Sequence, residues 1–484
     1  MGIVFYNTAT RGKQDFEPIN QGRVGMYVCG VTVYDLCHIG HARSAVVFDV
    51  LARYLRARGF KVTYVRNFTD IDDKIINRAK ELDKDPKEVA ETYIKAFYED
   101  MEPLGVRKPD IEPKATEHIP GMIEMIQRLI DRGHAYVANG DVFFSVESFP
   151  EYGVLSGRRL EDMHAGSRVA VDEKKRHPLD FVLWKAAKPG EPKWESPWGP
   201  GRPGWHIECS VMSNQYLGPS FDIHGGGRDL LFPHHENERA QSIAANGGHF
   251  ARYWVHNGFV TVDSEKMSKS LGNFLTIRDA LKEFHPEVLR AFLLSKHYRS
   301  PVDFSKEAVM AIHSGVIRIY RTLERVEQAI GPVDRSGVVV DLAKEGLSPF
   351  LKRFVEIMDD DINTAGALGI IFDKVRKINR IMDSLPAQGE KGSIQLAQER
   401  EELLIASSVL GLLEREPAHF FEELPKEEKG IDREEIERLI AERAEARARK
   451  DWAKADSIRD KLKSMGVVVK DTPKGTIWRI DVQA

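Results

Sequence analysis

Along residues 24–68 the apolar positions change period twice. Residues 24–29, Val-Gly-Met-Tyr-Val-Cys, are a short continuous apolar run and read as a buried strand. A turn with glycines at Gly30 and Gly40 follows. Val46, Val47, Val50, Leu51 and Leu55 then recur at helical spacing through residues 42–58, and Gly59 is placed to end that helix. Residues 61–68 alternate and are β-branched, which predicts a second strand. Strand, glycine turn, helix and strand in this order make a βαβ unit. Such a unit requires a parallel sheet and sets its ligand at the carboxyl ends of the strands.

The pattern changes at about residue 116. A short amphipathic helix is expected at 121–132, then a hairpin at 136–143 whose Asn139-Gly140 pair suits a type I′ turn. Residues 187–204 are rich in Pro, Gly and Trp without a period and read as a long loop. The α/β pattern resumes at Trp205. Residues 279–420 are helical in period, with interruptions near 330–337 and 386–392. A charged linker at 424–430 leads to one long charged helix at 433–465, then strands at 467–470 and 476–480. The expected fold is therefore an α/β, Rossmann-like parallel-sheet domain (1–115 and 203–262) with an inserted connective domain (116–202). A lysine-loop region (263–310), an α-helical bundle (311–420) and a small mixed α/β C-terminal unit (430–484) follow.

A chain of 484 residues is too long for one core, in keeping with several domains. Its 42% hydrophobic and 30% charged residues are ordinary for a globular protein. No apolar run approaches the roughly 20 residues that span a bilayer, and the first ten residues lack the pattern of a secretory signal. Three cysteines make no disulfide framework, so the reducing cytoplasm is the expected location. A net charge of −4 argues against a protein that coats nucleic acid, while leaving room for local basic patches.

Two short segments carry charge chemistry in this frame. His38-Ile39-Gly40-His41 falls where the first strand turns into the helix, so backbone N–H groups, the helix dipole and two imidazoles can face a phosphate. Gly40 lets an adenine approach the backbone. Lys266-Met267-Ser268-Lys269-Ser270 sets two lysines on a short polar loop with Gly272-Asn273 as its exit, which suits a segment closing over a leaving pyrophosphate. Alone, each segment is equally a polar helix start or a solvated turn. Together they read as two cationic jaws of one ATP site, with His38, His41, Lys266 and Lys269 catalytic and ATP arriving as its Mg²⁺ complex. Asp229, after three glycines, suits a ribose hydroxyl, an amino group or a turn cap.

Cys29, Cys209, His234 and Glu238 offer a second chemistry. His234 and Glu238 are four apart, and Pro233 is placed to open a helix that turns both to one side. One His, one Glu and two thiolates form a set that Zn²⁺ accepts. The thiols are far apart and no CxxC joins them, so plain packing of buried cysteines stays open. Cys37 reads as packing, and His206, His224 and His235 as supporting groups. Near the C-terminus, Arg443, Arg447, Arg449, Lys450, Lys454, Arg459, Lys461 and Lys463 form either a solvated helix face or an RNA-facing one, with Trp478 able to stack on a base.

Longer segments carry a resemblance. The stretch from Cys29 to His41, Asn67-Phe68-Thr69-Asp70-Ile71-Asp72-Asp73-Lys74, Gly204-Trp205-His206-Ile207-Glu208-Cys209-Ser210 and Phe221-Asp222-Ile223-His224-Gly225-Gly226-Gly227-Arg228-Asp229-Leu230 are similar to those of cysteinyl-tRNA synthetases, a class I family. So are the His234-to-Glu238 segment, Lys266 to Asn273 and Met358-Asp359-Asp360-Asp361-Ile362-Asn363-Thr364. The resemblance covers essentially the whole chain. It implies one zinc on Cys29, Cys209, His234 and Glu238, and a substrate pocket that includes Gly30, Thr69 and Trp205. It also implies cysteinyl-adenylate formation from L-cysteine and ATP, then transfer to the 3′-terminal adenosine of tRNA-Cys by a monomer that needs no membrane. Helices at about 310–415 would carry the tRNA shaft, the region after Lys269 the acceptor stem, and residues 430–484 the anticodon. Metal selection of a thiolate makes editing unnecessary, so 116–202 is expected not to edit. Two rivals remain: a ligase joining cysteine to a small amine on the same catalytic half, and a zinc-dependent RNA-binding or amino-acid-sensing module on a retired synthetase scaffold.

Overall fold

A computed structural model describes residues 2–160, 173–262, 265–266, 274–335, 338, 340–424, 433–449, 451–464, 467–472 and 475–480. The expected βαβ unit is present. Strands Arg23–Val28 and Lys61–Arg66 run parallel, joined by the helix Ile39–Ala57. That helix begins three residues earlier than the apolar period signals, because His38 caps it. His38 Nδ1 accepts from the Gly40 N–H at 3.0 Å, and the His38 N–H donates to His41 Nδ1 at 3.3 Å. Arg58 closes the helix and Gly59 leaves it at φ +85°, the backbone a glycine adopts without strain.

Strands Phe221–Gly227 and Ala251–Asn257 complete a four-stranded parallel sheet. In spatial order it runs Ala251–Asn257, Phe221–Gly227, Arg23–Val28, Lys61–Arg66. The chain leaves Arg23–Val28 toward one edge and Phe221–Gly227 toward the other. The crevice between these two middle strands is where a ligand fits in such a sheet. Gly225 admits Phe48 of the first helix, since a Cβ there would lie 2.3 Å from Phe48 Cε1.

The segment between the sheet halves holds the helix Ile119–Asp131 and an antiparallel sheet of Ala135–Ala138, Asp141–Phe144, Phe181–Ala186 and Gly201–Pro203. Asn139 (φ 52°) and Gly140 (φ 81°) make the expected hairpin turn. Residues 187–204 are not wholly loop, because their end adds the fourth strand. A Cβ at Gly201 would lie 2.3 Å from Trp184 Nε1, so only glycine lets this strand close on the buried indole.

Beyond the sheet, Val302–Phe304 is a short strand that helical period did not reveal, parallel to Val260–Val262. Helices Lys306–Ile330, Pro349–Asp359 and Thr364–Val409 follow, the last broken at Gly389 (φ 56°) within the expected interruption. The helices and the sheet lock together through buried arginines. Arg290 donates to the Leu410 and Leu104 carbonyls and to Asp49, and Arg43 to the carbonyls of Leu293, His297, Tyr298 and Ser300.

The single helix expected at 433–465 is two, Arg433–Ala448 and Trp452–Ser464. Asp451 breaks it: its N–H bonds the Ala446 carbonyl, and its carboxylate accepts from the Lys454 N–H at 3.1 Å, starting a new helix. The hairpin buries Ile436 and Leu439 against Ile458 and Leu462. Arg443 is turned inward, so it leaves the expected basic face. Strands Val467–Thr472 and Gly475–Ile480 pair antiparallel after it.

Candidate active site and metal centre

The crevice opens into a cleft of about 400 Å³ lined by His38, Gly40, His41, Gly30, Trp205 and Asp229 among others. His38 and His41 face each other with ring centroids 3.7 Å apart. Burial first, then the charges of His38 and Lys74, hold His41 well below the ordinary imidazole range, so it stands as a neutral ring. Lys266 ends a two-residue strand, Glu265–Lys266, whose partner Thr261 fixes its backbone. Lys269 lies outside the described residues. On the far side of the lysine loop the chain docks on the histidines. The Ile39 N–H bonds the Leu275 carbonyl, the Ile277 N–H bonds the Cys37 carbonyl, and the Phe274 ring meets His38 edge-on at 5.3 Å. The chain is thus tied to the histidines at residues 274–277.

Cys29 follows the first strand, Cys209 lies in the helix Trp205–Leu217, and Glu238 in Glu236–Asn246. Regular helix starts at Glu236 rather than at Pro233, because Phe232 is extended (φ −140°, ψ 130°) inside a kinked turn over Leu231–His235. His234 and Glu238 nevertheless meet, Nε2 to Oε1 at 3.0 Å. Cys29 Sγ lies 3.7 Å from Cys209 Sγ and 3.2 Å from Glu238 Oε1. One donor atom from each of the four residues falls within 4.8 Å of all the others, and all four residues are buried.

A second set, Cys29, His224, His235 and Glu238, is equally compact. Its His224 Nε2 is already bonded to Glu238 Oε2 at 2.9 Å, which makes it an orienting partner of the carboxylate. The set with two thiols is the better match to a soft-leaning cation. His206 Nδ1 lies 2.8 Å from His234 Nδ1, leaving His234 Nε2 for the cluster.

The electrostatics ask for a cation. Burial pushes the Cys29 thiol well up, as do its bond to Cys209 and the charges of Cys209 and Glu238. Burial also pushes Cys209 up, but its bonds with Cys29 and His234 bring it down to about 6. Burial lowers His234, yet Glu238 and Cys209 raise it to about 10. His224 and His234 hold the Glu238 carboxyl well below its usual range against burial. The cluster thus favours the anionic carboxylate of Glu238 and the cationic form of His234, a positive charge that a divalent ion on Nε2 would replace.

Around this cluster the sequence-expected residues fall at different depths. Trp205 is about one-third exposed and stacks on His234 with centroids 4.2 Å apart. Gly30 lines the cleft, its N–H donating to Asn67 Oδ1 at 2.9 Å. Thr69 stands behind the lining, buried, with its hydroxyl donating to Glu208 at 2.9 Å. Asp229 sits at the cleft rim in the turn after the three glycines. Sequence reasoning passed over Asn67, whose amide oxygen also lies 3.7 Å from Cys209 Sγ and so links the turn after Cys29 to the helix that carries Cys209. Its place inside Asn67-Phe68-Thr69 was the signal available.

Nucleotide crevice, histidine pair and fold neighbours meet in one class, the class I aminoacyl-tRNA synthetases. Methionyl-tRNA synthetase of Mycobacterium tuberculosis with methionyl-adenylate superposes with a TM-score of 0.55 at 16% identity, covering 84% of this chain and 92% of that one. A putative arginyl-tRNA synthetase of Campylobacter jejuni gives 0.52 at 15% identity over 81% and 93%. The family model for tRNA synthetases class I (C) catalytic domain matches residues 15–314, a DALR domain model 353–414, and the cysteinyl-tRNA ligase anticodon binding domain model 433–479. Cysteine–tRNA ligases of Thermodesulfovibrio yellowstonii and Syntrophobacter fumaroxidans are 54% and 55% identical, over 99% of this chain and 99–100% of theirs. The chain belongs to the cysteinyl-tRNA synthetase family.

Proposed function

We propose that the chain joins L-cysteine to tRNA-Cys in two steps at this cleft, and that Cys29, Cys209, His234 and Glu238 select the amino acid by holding zinc. The observation that carries the reading is the four-donor cluster whose Cys29 lines the same cleft as His38 and His41 and whose His234 stacks on the cleft residue Trp205. Zinc bound there would supply affinity for a thiolate over the hydroxyl of serine, a distinction that an apolar pocket makes poorly. His206 and His224 hold two of the donors in orientation. Trp205 and Gly30 shape the space above them for the rest of the amino acid, with Thr69 supporting the wall from behind.

In activation the cysteine carboxylate attacks the α-phosphorus of Mg²⁺-bound ATP and pyrophosphate leaves. His38, His41, Lys266 and Lys269 stabilise the negative charge on the phosphates, Gly40 admits the adenine, and Asp229 holds a ribose hydroxyl. No side chain is needed as a nucleophile, so catalysis rests on positioning and charge. In transfer, the hydroxyl of the tRNA 3′-terminal adenosine attacks the adenylate carbonyl, and AMP leaves. Residues 430–484 serve the anticodon, 311–420 the tRNA shaft and 263–310 the acceptor stem. Residues 116–202 form a connective unit without editing. The working form is a cytoplasmic monomer; no helix among the described residues is long and apolar enough to cross a membrane. The test is cysteine-dependent ATP–pyrophosphate exchange followed by charging of a tRNA pool. Exchange and charging are both expected, and exchange without charging would instead indicate an amide-forming ligase.

A further inference from the structure

Lys74 is not used by the reading above, although it lines the cleft together with His38 and His41. It stands in the first turn of the helix Asp73–Leu82, which follows the edge strand Lys61–Arg66 of the parallel sheet. Its ammonium lies 5.3 Å from the centroid of the Tyr34 ring, another cleft residue. Three carboxylates neighbour it in sequence, and each is engaged elsewhere. Asp70 takes the N–H of Thr116 at 2.9 Å and its hydroxyl at 2.5 Å. Asp72 caps the helix by accepting the Lys74 N–H at 2.8 Å. Asp73 is held by Lys185 and Arg202. Among the described residues no carboxylate pairs with the Lys74 ammonium.

A second cation points to the same space. Arg66 ends the strand Lys61–Arg66 and lines the cleft, 5% exposed. Its Nη2 bonds Glu112 at 2.6 Å, while Nε and Nη1 are buried with no hydrogen-bond partner among the described residues. An exposed ammonium without a carboxylate partner and a buried guanidinium with donors to spare, both lining the cleft that holds the histidine pair, suit an anion. In the proposed reaction the anions that enter this cleft are the cysteine carboxylate, which sits with the amino acid over the metal cluster, and phosphate.

Resting on the proposed function, we infer that Lys74, backed by Arg66, binds phosphate oxygens during the reaction as a further catalytic residue. Two phosphates enter the cleft: the triphosphate of ATP, and the phosphodiester next to the terminal adenosine of tRNA. Lys74 holds positive charge in the cleft that His41 also lines.

Lys74→Ala, Lys74→Arg and, as a control on the same helix, Lys80→Ala separate the possibilities in the full-length zinc-loaded protein. One arm measures cysteine-dependent ATP–pyrophosphate exchange without tRNA, and the other measures single-turnover transfer from preformed adenylate to tRNA. Lys74→Ala is expected to lower one arm about 10- to 100-fold, with melting temperature and zinc content unchanged and most of the rate restored in Lys74→Arg. A loss in exchange assigns the triphosphate, and a loss confined to transfer assigns the tRNA phosphodiester. Lys74→Ala within about twofold of wild type in both arms overturns the inference, as does an equal loss in Lys80→Ala. A wild-type chain without cysteine-dependent exchange would instead refute the proposed function.

Discussion

Gly30→Ala tests how the nucleotide crevice and the metal cluster are joined. A Cβ at Gly30 would lie 1.6 Å from the Asn67 carbonyl oxygen and 2.7 Å from its carbonyl carbon. Ordinary contact needs more than 3 Å, so the chain after Val28 and the chain after Arg66 must separate by about 1.5 Å or more. The obstacle is backbone and cannot rotate aside. Overpacking of this kind costs about 1–3 kcal/mol, and a backbone clash belongs at the upper end. The movement falls on Cys29, next in sequence, and on Asn67, which bonds the Gly30 N–H and touches Cys209. Displacing the two thiols from each other weakens zinc binding by about 10- to 100-fold, the usual cost of disturbing the support of a metal ligand. Zinc affinity by chelator competition and the urea midpoint measure the two effects separately. If Gly30→Ala binds zinc as tightly as wild type and unfolds at the same urea concentration, the crevice and the cluster are not mechanically joined and the reasoning is wrong.

Other expectations follow from the same geometry. His38→Ala and His41→Ala should each lower ATP–pyrophosphate exchange about 100-fold or more while leaving zinc content unchanged; loss of zinc in either variant would contradict the separation of the two sites. Asp361 is fully buried and accepts from the Tyr6 N–H, the Tyr298 hydroxyl and Arg299, so Asp361→Ala should cost about 2 kcal/mol, below the usual range for a buried pair because Arg299 is one-third exposed; thermal or urea unfolding measures it. His285 is lowered to about 4 by burial and the Arg415 charge, partly offset by Glu423. Its folded pKa is depressed, so between about 6.5 and 4 the unfolded chain binds a proton that the folded chain refuses, and stability falls as pH drops through that window. His285→Asn keeps a helix-capping side chain and should make the fall in urea midpoint from pH 7 to pH 5 shallower; an unchanged slope would remove His285 from the acid limb.

The sheet was legible because its signals are local. Period, glycine and β-branching marked the strand–helix–strand unit, and Asn139-Gly140 marked its hairpin. The helix start at His38 was set by a histidine cap that hydrophobic period does not register. The strand Gly201–Pro203 stayed hidden because its pairing depends on Trp184, across a Pro- and Gly-rich segment. The helix break at Asp451 was visible as a capping residue, yet unbroken helical composition on both sides masked it. At the site, spacing alone paired only His234 with Glu238, and the meeting of Cys29 with Cys209 is a consequence of tertiary structure, 180 residues apart. Family resemblance nominated that pair, and the structure places the two sulfurs 3.7 Å apart. Lys74 appeared only as the end of the Asn67-to-Lys74 segment and Arg66 not at all, since their interest lies in what they do not contact.

Metal-dependent selection of cysteine is tested most directly by ATP–pyrophosphate exchange with protein stripped of metal by a chelator, before and after one equivalent of Zn²⁺ per chain is restored. Cysteine-dependent exchange is expected to be lost on stripping and to return with the metal, while serine supports no exchange in either state. Equal cysteine-dependent exchange in stripped and restored protein would contradict the role given to Cys29, Cys209, His234 and Glu238.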